Sequence, residues 1–386
     1  MNEVRATSGY KWIVVIVFAC SLFTFWLGTI SSSMLDVHVD YIRRQLGDIR
    51  ERMFNNTFIK DHVDRFSELL LLSPSNATDQ PKDADKKAGA AGYAVLASDH
   101  HFEYLFPLPM VVLSWRRLGI DALVILIGTK EQFESDKHLN YVLSSLRELK
   151  TRIFFLNSSL AESFTLAQVS RLYAAALEGL NLPDSTVLIT ADADMFSFKL
   201  SEHMPDLRAG KKIFLYNSQC CGQMRMPADS ENYPHIPMNT IAMPVVLWRE
   251  VMGISPNMMT SGNGDLVATR LYAEFGKALV TGPGGKGSEK WSMDQNLISA
   301  LLHRWIKKNP ANQQLVAEKP SLDQRYDRAG WNYDFSKEPL AGKGDAHFLH
   351  PMFGDNWPRM VGLLRLMFTS KELEWCINYH TAFMKL

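Results

Sequence analysis

One short run constrains this chain more than any other. Val187-Leu188-Ile189 follows the turn-like Pro183-Asp184-Ser185 and leads straight into Asp192-Ala193-Asp194. Three consecutive apolar residues, two of them β-branched, bounded by a turn, read as a buried strand. A strand that is apolar on both faces belongs in a parallel sheet covered on both sides. Open sheets of that kind bind ligands beyond the carboxyl ends of their strands, which is where Asp192 and Asp194 fall. Two hard carboxylate oxygens in such a place suit Mg²⁺ or Mn²⁺, ions that keep other positions for water and phosphates. The tripeptide alone says little. A second copy, Asp83-Ala84-Asp85, sits among Gln, Pro and Lys with no strand before it, and reads as solvated linker.

From residue 93 onward the pattern recurs. Strands are predicted at 93–98, 122–127 and 152–156 and from Thr186 up to Asp192, with helices at 103–118 and 139–149. A further helix face is formed by Leu166, Val169, Tyr173, Ala176 and Leu180. Strands alternating with helices predict an α/β domain around a parallel sheet. Beyond the carboxylates, 213–216 reads as a strand and 217–237 as a polar loop carrying Cys220 and Cys221. An apolar run at 241–248 precedes a helix, and 261–265 is a tight turn. The glycine-rich stretch 281–287 lacks the Walker A sequence, so it is no P-loop. It reads either as a lid or as a plain surface loop. Asp294 opens a helix with Leu297, Leu301, Leu302 and Trp305 inward. It either caps that helix or carries chemistry as base, nucleophile or positioning group.

The 386 residues are 46% hydrophobic, ample for a sizeable core, and hold 41 basic and 41 acidic side chains. No basic run exceeds a pair, so nothing points to nucleic acid. Residues 12–30 are uncharged and apolar, and these 19 residues approach the roughly 20 that cross a bilayer as a helix. Ser31-Ser32-Ser33 makes a poor cleavage site. With Arg5 and Lys11 before the span and Asp36 and Asp40 after it, the positive-inside bias predicts a cytosolic tail (1–11) and a signal-anchor (12–30). The rest would then lie in the lumen, as in a single-pass type II protein of the Golgi or ER membrane. Acceptor triplets at Asn55, Asn76 and Asn157 agree with that topology. In an oxidising compartment Cys376 is expected to bridge to either Cys220 or Cys221, because adjacent cysteines rarely pair. Cys20 falls in the predicted span, and no zinc-type Cys/His spacing occurs. In the stem (31–72), Leu35, Val39, Ile42, Leu46, Ile49 and Met53 step by fours and threes. That stripe is either a coiled-coil seam, giving a homodimer, or one face of a single packed helix. A linker (73–92) rich in Pro, Ala and Gly leads into the body at 93–386.

Four places in that body resemble the GT-A family of nucleotide-sugar glycosyltransferases, with likeness to its glycogenin-like branch. Ala97-Ser98-Asp99 matches the strand end where those enzymes hold the nucleotide, and Asp192-Ala193-Asp194 matches the family's Asp-x-Asp. Trp291-Ser292-Met293-Asp294-Gln295-Asn296-Leu297 resembles the Asp-Gln segment beside sugar and acceptor. Ala346-His347-Phe348-Leu349-His350, with Gly354 and Trp357 downstream, resembles the late His-Phe-x-Gly…Trp element. His350 stands where that pattern has Gly, and the family's Lys before Pro-Trp is missing.

The resemblance implies a GT-A fold and an enzyme that moves a sugar from a nucleotide diphosphate, a UDP-sugar, to a glycan, glycoprotein or glycolipid acceptor in the secretory pathway. It also implies retention at the anomeric carbon. Ala97, Ser98, Asp99 and Asp192 would meet the nucleotide. Asp192, Asp194 and either His347 or His350 would hold a metal. Asp294 and Gln295 would stand at the transferred sugar. A nitrogen ligand suits Mn²⁺ better than Mg²⁺. The competing readings are an inactive membrane-anchored carbohydrate-binding or scaffold protein of the same fold, and hydrolysis of the donor without transfer. Trp331, Tyr333 and Trp357 either stack on sugar rings or pack in the core.

Overall fold

Linker composition ends where Tyr93-Ala94-Val95-Leu96 begins, and the first strand, β1 (Gly92–Ser98), forms there. The structure is a computed structural model that describes residues 92–386 except 230, 260–261, 283–287, 320–324, 329–330, 332, 336–339 and 341. The predicted tail, anchor and stem lie outside the described residues, as do 73–91 of the linker and 283–287 of the glycine-rich stretch.

The single helix expected over 103–118 is two, α1 (Phe102–Leu105) and α2 (Leu108–Arg117). Pro107 stands at the N-cap of the second. Lacking an amide hydrogen, it cannot continue the first helix and is tolerated at the start of another. Next come β2 (Asp121–Ile127), α3 (Lys130–Ser135), α4 (Lys137–Glu148) and β3 (Arg152–Leu156). Helix α3 starts on a capping box between Thr129 and Gln132, and the Asp136 carboxylate caps α4. The apolar face predicted from Leu166 to Leu180 is shorter as a helix. It is α5 (Ser163–Ser170), followed by a 3₁₀ segment (Arg171–Ala176) that brings the chain round to β4 (Val187–Thr190).

Beyond the carboxylates lie β5 (Met195–Ser197) and β6 (Ile213–Tyr216). The stretch predicted as plain loop folds a hairpin of β7 (Gln223–Arg225) and β8 (Asn232–Pro234). The apolar run at 241–248 divides into β9 (Ile241–Pro244) and α6 (Val245–Met252), so the helix starts inside the run. The remaining helices before the last sheet are α7 (Asp265–Phe275), α8 (Lys277–Thr281) and α9 (Met293–Lys308). The chain closes with β10 (Val316–Lys319), β11 (Arg325–Tyr326), β12 (Asp345–His347), α10 (Trp357–Met367) and α11 (Ser370–Phe383).

The main sheet runs β10-β6-β9-β4-β1-β2-β3. All neighbours are parallel except around β9, which is antiparallel to β4 and β6. The expected α/β class with a mostly parallel sheet is therefore what the chain forms. Every residue of β4 is buried, as a strand covered on both faces should be. Trp248 on α6 packs against it and donates its indole N–H to the Leu188 carbonyl at 3.0 Å. Full burial of one such large side chain contributes about 1.5–3 kcal/mol. A second, small sheet, β11-β12-β5, stands at the carboxyl end of β4.

Two expectations need correction. Among the described residues no helix is long and apolar enough to cross a membrane. That corrects the expected localisation as a single-pass type II protein of the Golgi or ER membrane; the span at 12–30 lies outside the described residues. The expected bridge from Cys376 does not form either. Cys220 and Cys221 are bonded to each other, and Cys376 is a free thiol. Cys376 is fully buried on α11, whereas the other two lie exposed in the loop after β6, so they meet each other and not Cys376.

Candidate active site

The two carboxylates occupy the link between the sheets. After β4 the chain is pinned on one side by the Ala191 amide, which donates to the Val95 carbonyl of β1 at 3.0 Å. On the other side the Asp194 carbonyl accepts from the Phe348 amide at 3.2 Å. β5 then pairs antiparallel with β12, and His347 stands opposite Met195. The register of the small sheet thus sets His347 beside Asp194. A buried Arg325–Asp345 pair, at 2.6 and 2.8 Å, clamps β11 to β12 in the same register.

One oxygen of Asp194 collects three donors. His347 Nε2 lies 3.0 Å from Oδ2, His350 Nε2 2.6 Å and Arg328 Nη1 2.7 Å. Burial alone would raise the Asp194 carboxyl; the His347 charge and the hydrogen bonds of both histidines outweigh it and hold the group well below the usual carboxylate range. His347 responds in the opposite sense. Burial lowers it, and the neighbouring Asp194 raises it above the ordinary histidine value.

Asp192, Asp194 and His347 each present one ligand atom, all within 4.8 Å of one another. Two carboxylate oxygens and one imidazole nitrogen fit a divalent cation. His350 touches Asp194 but does not gather with Asp192 and His347 into that cluster.

Asp192 is tied elsewhere. Arg171, at the start of the 3₁₀ segment, places Nη1 at 2.6 Å from Asp192 Oδ1 and 2.8 Å from the Ala191 carbonyl. Its Nη2 lies 2.8 Å from Asp294 Oδ2. One buried guanidinium therefore joins two carboxylates 102 positions apart, 294 minus 192. Asp294 is the second residue of α9 and not its N-cap, which is Ser292. Its other oxygen accepts from the Gln295 amide at 2.8 Å. Burial raises the Asp294 pKa, with Arg171 opposing.

At the end of β1, Asp99 is buried and held by Ser163 Oγ at 2.9 Å and the His101 amide at 3.1 Å. Ala97, Ser98, Asp99, Asp192, Asp194, Asp294, Gln295 and His347 all line one cavity of about 380 Å³. Of the predicted site residues, His350 alone is absent from its wall. Trp331 and Tyr333 instead pack with Tyr326 and Phe335, and Trp357 stacks on His380 at 4.0 Å.

The cavity also shows what the motifs did not name. Arg171, Arg325, Arg328 and Tyr104 line it, the last with its hydroxyl pushed up to about 12 by burial and by Asp194. Arg171 carried a usable signal. It is the only charged residue between Glu162 and Glu178, and a lone cation in a run that must be buried needs an anionic partner. Arg328 carried none.

No protein-family model matches the chain, and no curated protein matches it. Among solved structures it is similar to the galactosyltransferase LgtC, crystallised with donor and acceptor sugar analogues. That pair shares 12% identity over 74% of this chain and 99% of the other, with TM-score 0.38. It is also similar to the glycosyltransferase GlyE of Streptococcus pneumoniae, with 12% identity over 77% of this chain and 64% of the other, TM-score 0.32. A third is a glycosyltransferase involved in glycosylation of the major capsid of PBCV-1, with 6% identity over 77% and 100%, TM-score 0.28.

Proposed function

We propose that this chain is a metal-dependent glycosyltransferase of the GT-A type that transfers a sugar from a nucleotide diphosphate, a UDP-sugar, to a glycan, glycoprotein or glycolipid. One observation carries the reading. Three ligand-type side chains and a separate buried carboxylate, Asp294, converge on one cavity beyond the carboxyl ends of β1 and β4, where sheets of this kind bind ligands.

Asp192, Asp194 and His347 would hold the cation, which when bound offsets the charge that grows on the diphosphate as the glycosidic bond breaks. The chain's own residues do the rest. Asp99, fixed by Ser163, and the adjoining Ala97 and Ser98 form the nucleotide end of the cavity. Arg328 is the most exposed of the three donors on Asp194 Oδ2, with 27% of its side chain accessible. It supplies positive charge beside the place of the diphosphate. Asp294 faces the transferred sugar, oriented by Arg171 on one oxygen and the Gln295 amide on the other. The Gln295 side chain stands beside it on the cavity wall. Arg171 keeps Asp192 and Asp294 in fixed relation, so the metal end and the sugar end share one anchor.

The test is release of UDP by the purified full-length chain across a panel of UDP-sugars, with Mn²⁺ titrated. The expected result is release that depends on Mn²⁺ and rises when the matching acceptor is added. Binding of a nucleotide sugar without any turnover would sustain the scaffold reading instead. Turnover indifferent to both Mn²⁺ and acceptor would reject the assignment.

A further inference from the structure

The cavity wall contains a feature that metal and sugar chemistry do not use. Cys220 and Cys221 are bonded neighbours, exposed, and both line the cavity that holds Asp192, Asp194 and Asp294. A bridge between adjacent residues closes the smallest loop a chain offers. It therefore restricts the unfolded chain least, and conformational stability does not account for it. The surrounding backbone is held without it. The Cys220 amide donates to the Asn217 carbonyl at 3.1 Å, the His235 amide to the Gly222 carbonyl at 2.9 Å and the Ser218 amide to the Lys319 carbonyl at 3.2 Å. The Ser218 hydroxyl adds a bond to Glu318 Oε2 at 2.9 Å. None of these four bonds uses a cysteine side-chain atom. Exposed bridges of this kind are the labile ones. Cys376 is the contrast: it is fully buried, and burial pushes its thiol far up, which makes it inert.

We propose that the Cys220–Cys221 bridge is a redox modification site in the cavity wall, opened reversibly by small dithiols while the protein stays folded. In the forward step a reductant thiolate attacks one cysteine sulfur and forms a mixed disulfide. The second reductant sulfur then displaces the cysteine and closes the reductant's own disulfide. The cysteine pair gains two electrons and two protons, and the dithiol loses the same. A fused ring on the wall becomes two independent thiols, close enough to grip one soft ligand together. The proposal stands on the loop and the cavity and goes beyond the transferase reading.

The test incubates the oxidised full-length chain with a dithiothreitol series in the absence of denaturant. Free thiols are trapped with N-ethylmaleimide and located by peptide mass. Cys220 and Cys221 are expected to label together at reductant concentrations that leave the thermal melt unchanged, with Cys376 labelled only in denaturant. Phenylarsine oxide, which takes two neighbouring thiols, should then bind once per reduced chain and not at all in Cys220→Ser. The bound arsenical should weaken Mn²⁺-UDP binding about tenfold, one decade in Kd, reversibly with 2,3-dimercaptopropanol. Labelling of the pair only after unfolding, or before any reductant is added, overturns the proposal. Unchanged UDP affinity in the arsenical-loaded chain overturns the placement in the cavity. Should the oxidised chain bind no UDP, the transferase reading falls, and the labelling still decides the redox site.

Discussion

Replacing Arg171 with Met asks whether one guanidinium holds both carboxylates of the site. Its nitrogens lie 2.6 Å from Asp192 and 2.8 Å from Asp294, and only 8% of the Arg171 side chain and 3% of that of Asp294 are accessible. Met occupies part of the same space but leaves Asp294 as a buried charge without its cation. Removing one partner of a buried pair costs about 3–5 kcal/mol. At ~2–4 °C per kcal/mol, the melting midpoint should fall by about 6–20 °C.

The loss also has a pH signature. Burial already raises the Asp294 pKa, with Arg171 opposing, so without the guanidinium it rises further. A carboxyl raised on folding binds more protons in the folded state than in the unfolded one. Its favourable contribution is complete below the unfolded value of about 3.9 and is lost as pH rises through the folded value. Arg171→Met should therefore lie nearest the wild type at mildly acid pH and furthest from it at alkaline pH. Arg171→Lys retains the charge but offers one nitrogen where two are used, and should forfeit one charge-assisted bond, about 1.5–3 kcal/mol. Scanning calorimetry of the three proteins from acid to alkaline pH checks this. A Met variant with the wild-type midpoint, or one whose deficit grows toward acid, would refute the reasoning.

Asp194→Ala removes the common acceptor of Arg328, His347 and His350; Mn²⁺-dependent UDP binding should vanish while a cooperative melt remains, and wild-type UDP affinity at low Mn²⁺ would count decisively against the metal site. At Gly262 φ is +70° and an added Cβ would lie 2.8 Å from the Phe155 carbonyl oxygen, so Gly262→Ala should cost about 1–3 kcal/mol. An unchanged chemical-denaturation midpoint would show that the turn relaxes freely. His380, half-buried on the face of Trp357, is lowered by burial from 6.5 to about 4. A depressed histidine leaves the unfolded state with more protons, so its contribution is whole above pH 6.5 and is lost as pH falls to about 4. Discounted for its exposure, that loss is about 1 kcal/mol. His380→Phe should flatten the acid limb by that amount, and an identical acid limb in both proteins would exclude the histidine as its source.

The main sheet was legible because its strands are long enough to show a pattern. Residues 152–156 and 213–216 read as strands from their apolar runs, and both form with those bounds. Errors came where one residue redirects the chain. Pro107 divides an apolar stretch that reads as continuous helix. Val245 begins α6 inside a run that reads equally as strand, the ambiguity that periodicity alone does not resolve. The bridge between Cys220 and Cys221 went the other way, because the general rarity of adjacent pairing says nothing about how deeply Cys376 is buried.

The candidate site divides along the same line. Asp192 and Asp194 could be placed because β4 precedes them, which also separated them from the identical tripeptide at 83–85. Their partners could not. Arg171 and Asp294 are separated by 123 positions, and Arg328 and Asp194 by 134, and one sequence shows residue types without showing who meets whom. The small sheet that sets His347 against Asp194 has strands of two and three residues, too short for any period to register. Its register is held instead by the Arg325–Asp345 pair, two charges that a reader of the sequence would assign to the surface. Both are buried, and a buried charge is tolerated only with its partner in place. The feature that made this part of the site illegible is therefore the one that fixes it: His347 keeps its position through a pairing that neither strand could specify alone.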